Sequence, residues 1–279
     1  MHSALEVMTF AGGTREVVYR TSDHIEAPNW SPDGTYLVFN SAGLLYRLPC
    51  GGGIPAKIDT GPLVRLNNDH GFSPDGKWIA VSGKSEPDGK SRISIVAAEG
   101  GSPRLITPQA PAYWHGWSPD GKALVYVAAR DGSRILNLYC CPAEGGAETR
   151  LTCTDGLDDG PEYSPDGRFI YFNSVRSGNM KIWRMRADGS DPEQITFEPE
   201  TRDWFPHPSP DGRWIVFVSF GGDVAVPDHP PGKNVMLRAV RTSGGAPRVL
   251  AHLFGGQGSL NVPSWSPDSR RFAFVSYEP

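Results

Sequence analysis

Six copies of one tetrad punctuate the chain: Ser31-Pro32-Asp33-Gly34, Ser73-Pro74-Asp75-Gly76, Ser118-Pro119-Asp120-Gly121, Ser164-Pro165-Asp166-Gly167, Ser209-Pro210-Asp211-Gly212 and Ser266-Pro267-Asp268-Ser269. Their prolines lie 42, 45, 46, 45 and 57 residues apart. A period of roughly 40–50 residues built from short strands specifies a radial array. The tetrad suits a type I β-turn, with serine at the first position, proline presetting φ at the second, and aspartate and glycine completing it. An aromatic precedes five copies (Trp30, Phe72, Trp117, Tyr163, Trp265), and Pro208 precedes the other. A short apolar run follows, such as Tyr36-Leu37-Val38-Phe39 or Phe272-Ala273-Phe274-Val275. These runs read as strands buried on both faces. Each repeat then carries a second turn rich in glycine, such as Gly100-Gly101 or Gly145-Gly146, between two more strand-like runs. A repeat therefore holds four strands, A ending at the tetrad, B following it, and C and D flanking the glycine turn.

The predicted fold is all-β: a six-bladed β-propeller of four-stranded antiparallel blades, one domain over residues 1–279. Only strand B follows the last tetrad. Ala4–Phe10 and Arg15–Arg20, separated by Gly12-Gly13, supply strands C and D of that blade. Closing the ring in this way protects the strand edges that an open array would expose.

Composition excludes several function classes. A net charge of −4 and a pI near 6.0, with lysine and arginine scattered, give no basic stripe for nucleic acid. No apolar stretch approaches the length of a membrane-spanning helix, so no membrane insertion is expected. The first residues, Met1-His2-Ser3-Ala4-Leu5-Glu6, form no basic leader with an apolar core, which points to the cytoplasm, or to the periplasm if a leader had been removed. Cys50, Cys140, Cys141 and Cys153 have neither zinc-ligand spacing nor the regularity of a disulfide framework. No cofactor is implied.

The run Gly160-Pro161-Glu162-Tyr163-Ser164-Pro165-Asp166-Gly167-Arg168-Phe169-Ile170-Tyr171-Phe172 resembles the repeat of TolB-type six-bladed propellers, which are related to WD-repeat blades. The resemblance covers essentially the whole chain and implies the fold. TolB itself is periplasmic, acts in envelope integrity, and carries an α/β domain that this sequence does not match. The blade type is also similar to the propeller of prolyl-oligopeptidase-like peptidases, where catalysis belongs to a separate α/β-hydrolase domain. The matching residues are turn formers and packers, so they carry fold rather than function. Gly71-Phe72-Ser73-Pro74-Asp75-Gly76 has the spacing G-x-S-x-x-G rather than that of a nucleophile elbow.

Candidate functional residues fall on the face opposite the tetrads. The D-to-A crossings lead inward to the channel mouth there. They contribute Asn67, Asn68, Asp69 and His70; Tyr113, Trp114 and His115; Asp158 and Asp159; Arg202, Asp203, Trp204 and His207; Asn261; and, in the first blade, His24 and Glu26. His70 and His115 occupy the place held by proline in the other repeats, a departure from the repeat consensus. One reading is a solvated mouth whose side chains satisfy strand ends. A second is a binding site for a protein, peptide or polar small molecule, with Trp114 and Trp204 as aromatic anchors. A third is a metal or acid–base site using Asp69, His70, His115 and Asp159. The long last spacing places an insertion at residues 221–232, a B–C loop expected beside the same mouth and able to offer Asp228 and His229. The sequence reading favours a non-catalytic binding or scaffold propeller. The alternative is a small hydrolase or lyase with a metal-assisted site in the mouth.

Overall fold

The computed structural model describes residues 2–85 and 87–278. Five sheets have four strands each, hydrogen-bonded in chain order. Blade 1 comprises Ile25–Trp30, Tyr36–Ser41, Leu44–Pro49 and Ala56–Ile58. The inner strands of blades 2 to 5 are Leu66–Phe72, Ala112–Trp117, Asp158–Tyr163 and Arg202–Pro208. In blades 2 to 4 the outer strands are short, only Arg104–Leu105, Thr149–Arg150 and Glu193–Gln194, while those of blades 5 and 6, Arg248–Gly256 and Arg15–Thr21, are longer. Short outer edges limit the unpaired backbone offered to other chains.

The sixth blade joins the two ends of the chain. Arg271–Glu278 pairs antiparallel with His2–Thr9, from His2 opposite Glu278 to Thr9 opposite Arg271, and His2–Thr9 pairs in turn with Arg15–Thr21. The expected inner strand of this blade is reduced to one bridge, Trp265 to Phe272. Pro263 and Pro267 flank that position and have no N–H to give a ladder. Two backbone bonds, from Ala273 to Ser264 and from Val275 to Ser259, still tie the irregular segment to the sheet.

Each tetrad is a closed hydrogen-bonding unit. In the fourth, the Gly167 N–H donates to the Ser164 carbonyl at 2.8 Å. The Ser164 hydroxyl donates to Asp166 Oδ1 at 2.7 Å and accepts the Phe169 N–H at 2.9 Å, while Asp166 Oδ1 also accepts the Arg168 N–H at 3.1 Å. The last residue of the turn lies at positive φ, 71° for Gly167 and 59° for Ser269, which replaces glycine in the sixth copy. That substitution costs backbone strain, yet its hydroxyl accepts the Asp211 N–H at 2.9 Å and links two neighbouring turns.

The B strands are buried on both faces because a blade covers each side: Leu37 and Val38 point in opposite directions and both are fully buried. The aromatics before the tetrads fasten one blade to the next. Trp117 Nε1 donates to the Gly71 carbonyl at 3.1 Å, and Trp265 Nε1 to the His207 carbonyl at 3.0 Å. All four cysteines are free thiols, and the adjacent Cys140 and Cys141 lie on opposite faces of one strand.

Candidate functional site

The five complete inner strands share an irregularity that the tetrads do not announce. The pairing register slips between Glu26 and Asn29, Leu66 and His70, Trp114 and Gly116, Asp159 and Glu162, and Trp204 and His207. A bulge leaves a residue unpaired and re-aims its neighbours. Three of these strands place the residue four before the tetrad serine at positive φ: Ala27 (56°), Gly160 (59°) and Phe205 (55°). Strain of this kind gathers where the chain is held for a purpose other than pairing.

The bulges surround a cavity of about 320 Å³ at the mouth opposite the tetrads. Asp69, His115, Asp159 and Asn261 line it, together with Glu26, Asn67, Asn68, Tyr113, Phe205, Gln257 and His229. His115 Nε2 lies 3.1 Å from Asp159 Oδ1, and that oxygen also accepts the Gly160 N–H at 2.7 Å. Burial alone would lower the His115 pKa, but the bond to Asp159 and the charges of Asp69 and Asp159 reverse this and raise it. Burial acts upward on Asp159, where the bond and charge of His115 win and hold it low. The two therefore form a buried hydrogen-bonded pair in which each favours the charged form of the other. Asp69 differs. Asn67 Nδ2 donates to its Oδ2 at 2.5 Å, yet burial, with Asp159 and Glu26 nearby, pushes its pKa up to about 6 despite the attraction of His115. Asn261 fixes its carboxamide by accepting the Gly258 N–H at 2.6 Å.

The insertion reaches this cavity through His229. Its ring lies 4.0 Å from that of Trp204 and 5.4 Å from that of Phe205, and burial lowers its pKa. The stretch 221–232 thus covers part of the mouth, while Asp228 is exposed and does not line the cavity.

Other candidates lie elsewhere. Trp114 and Trp204 are core residues, 1 % and 0 % exposed. A Cβ on Gly71 would meet the Trp114 ring at 2.2 Å, so the indole fills the space that glycine vacates between blades. Trp204 lies beneath His229 and offers no face to solvent. Neither can act as an anchor in this conformation. His70 is buried beside the cavity rather than in it, with both ring nitrogens unbonded and its pKa pushed down by burial to about 4. Asp203 is committed to Lys181 at 3.3 Å, Arg238 at 3.6 Å and the Ser219 hydroxyl at 2.7 Å. Asp158 pairs with Arg176 at 3.0 Å. His207 sits deeper in the channel, 2.6 Å from Glu162 and 3.2 Å from the Leu260 carbonyl. His24 stays at the rim, 3.4 Å from Glu26. Phe205 and Gln257 were not among the sequence candidates, because neither stands out from its repeat. Among the described residues, no three His, Cys, Asp or Glu side chains are grouped to hold a metal ion.

Over its whole length the chain is 51% identical to the uncharacterised protein Atu1656 of Agrobacterium fabrum, covering 94% of that protein. It superposes with a TM-score of 0.95 on a provisionally assigned TolB from Agrobacterium tumefaciens, 51% identical, covering all of this chain and 99% of that one. Residues 108–229 match the TolB beta propeller domain family. The chain belongs to the TolB-like six-bladed β-propellers. Within that family, the Tol-Pal system protein TolB of Francisella tularensis subsp. mediasiatica is 25% identical over 77% of this chain, which spans 50% of that longer protein. No helix among the described residues is long and apolar enough to cross a membrane.

Proposed function

We propose that this TolB-like propeller is a binding module whose ligand or partner docks at the mouth opposite the tetrads. The observation that carries this reading is the cavity itself, where five bulged strands and the insertion converge on buried polar side chains. Pockets that combine a few apolar walls with fixed polar groups are built for recognition. Among the described residues no serine, threonine or cysteine lines it, so the aliphatic hydroxyl or thiol nucleophile of an acyl-transfer site has no candidate there. The tetrad serines cannot substitute, since each hydroxyl is tied to its own aspartate at 2.6–2.7 Å. The metal-assisted alternative has fewer ligands to draw on than expected, because His70 does not line the cavity with Asp69, His115 and Asp159. Four free thiols suit a reducing compartment, and on that ground we propose the cytoplasm, with the periplasm as the alternative.

Equilibrium dialysis against a small-molecule and peptide extract, read by mass spectrometry, tests the site. The wild type is compared with Gln257→Trp, in which an indole plugs the cavity. Molecules enriched by the wild type and lost in the plugged protein are the expected result. Equal enrichment by both proteins would refute the mouth as the binding site.

A further inference from the structure

The chemistry of the mouth narrows what it can hold. Its lining carries three carboxylates, Glu26, Asp69 and Asp159, and no lysine or arginine. Asp69 and Asp159 are 6 % and 7 % exposed. Ionised carboxylates at that depth are costly unless a positive charge faces them. The lining offers two histidines: Asp159 already holds His115 at 3.1 Å, and burial lowers the pKa of His229 and so favours its neutral form.

The unpartnered atoms are acceptors. Asp69 uses Oδ2 for the Asn67 carboxamide, Asp159 uses Oδ1 for His115 and the Gly160 N–H, and Asn68 gives its Nδ2 to Glu26. Asp69 Oδ1, Asp159 Oδ2 and Asn68 Oδ1 receive no hydrogen bond from the described residues, and the three residues, 6 %, 7 % and 6 % exposed, line the cavity. A site with spare acceptors facing its cavity is matched by a ligand with several donors and a positive charge. An anion finds no cation free to meet it. A bare metal ion finds no grouped ligand set among the described residues. Phe205 and Tyr113 provide aromatic and apolar wall for a short hydrocarbon chain.

We infer that the mouth recognises an organic cation, an ammonium or guanidinium group carried on a short aliphatic chain. This rests on the mouth being the binding site and adds the class of its ligand. The same group occurs on a free amine and on a lysine or arginine side chain of a peptide, and about 320 Å³ admits either.

Calorimetric titration and side-chain NMR of Tyr113 and His115 test the inference with defined probes. Cadaverine and agmatine are compared with pentane-1,5-diol and glutarate of similar length, and the capped peptide Gly-Lys-Gly with Gly-Met-Gly. The expected result is binding of at least one cation at the mouth, no binding of its neutral or anionic counterparts, and at least tenfold weaker binding in Asp69→Asn. Cadaverine without the lysyl peptide would identify a free amine; the reverse would identify a side chain. Asn261→Asp adds a carboxylate while keeping the oxygen that Gly258 uses, and should tighten cation binding severalfold even if Asp69→Asn folds poorly. Binding of the diol or glutarate at the same residues would overturn the cation assignment while leaving the mouth as the site. No cation-dependent binding by any probe would also overturn it. If the Gln257→Trp plug changes nothing in the dialysis, the mouth reading itself fails.

Discussion

The two mouths of the channel use the same side chain, aspartate, to opposite ends. At the tetrad mouth, Asp33, Asp75, Asp120, Asp166, Asp211 and Asp268 each accept their own serine hydroxyl. The hydroxyl and backbone N–H bonds hold Asp166 down to about 2. At the other mouth Asp69 is pushed up to about 6 by burial. Prolines and aromatics repeat around the tetrad mouth, and its cavity of about 430 Å³ is lined by Pro32, Pro74, Pro119, Pro165, Pro210 and Pro267. The opposite mouth shares the bulges but no repeated polar motif: its side chains, such as Glu26, Asp69, His115, Asp159 and Asn261, fall at different positions of their repeats. A satisfied carboxylate is part of a turn, whereas a buried carboxylate with a free lone pair is a binding determinant in waiting. The repeated face is built from satisfied turns, and the divergent one is where we propose that recognition occurs.

Three measurements can break or sharpen that contrast. Trp114→Ala removes an indole packed into the gap above Gly71 and should cost about 3–5 kcal/mol in chemical denaturation. A loss under about 1 kcal/mol would mean that the ring is not core and that its place in the mouth must be reconsidered.

Asp69→Asn should act in the opposite direction. Its folded pKa exceeds the ordinary carboxylate value, so the folded protein holds this proton more tightly than the unfolded chain. The stabilising contribution is complete below the unfolded value of 3.8 and is lost as pH rises through about 6. The groups facing it are Asn67, His115, Asp159 and Glu26. The substitution should therefore stabilise the fold by about 2 kcal/mol at pH 8, with the gain shrinking below pH 6 and vanishing near pH 4. Melting curves at pH 8, 6 and 4 report it. A destabilised variant at pH 8 would show that Asp69 is satisfied as the tetrad aspartates are, and the contrast would fail.

Ser164→Ala should have the smallest effect. It removes the hydroxyl that accepts the Phe169 N–H and donates to Asp166, and one such turn should cost about 1 kcal/mol. The neighbouring turns carry their own bonds, so the ring should stay closed. Loss of cooperative unfolding would show instead that the turns depend on one another.

Much of the fold was legible because a propeller blade is a local object. The tetrads marked the A–B turns, and the residues after Ser266 were too few for a whole blade, which predicted that the N-terminal strands complete the ring. Pro263 and Pro267 were visible too, but their consequence, an inner strand reduced to one bridge, depends on which backbone groups the neighbouring strand presents. The mouth was legible as a region and not as a constellation. Asp69, His115, Asp159 and Asn261 lie in one cavity, while Trp114, Trp204, Asp203, His70 and His207 from the same crossings are packed or paired elsewhere. Counting back from each serine could not separate them, since a bulge shifts the facing of every residue beyond it by one.

The sequence by itself determined the number of blades, their strand order and the chemistry of their turns, because these follow from a repeat of about 45 residues whose last copy is completed by the N-terminal strands. Only the tertiary structure decided which polar side chains meet. The cavity joins residues from Glu26 to Asn261, and its electrostatics depend on burial that no single repeat contains. The raised pKa of Asp69 and the pairing of His115 with Asp159 arise between blades, where ring closure sets the distances, and the seating of His229 on Trp204 joins a loop to the inner strand of its own blade.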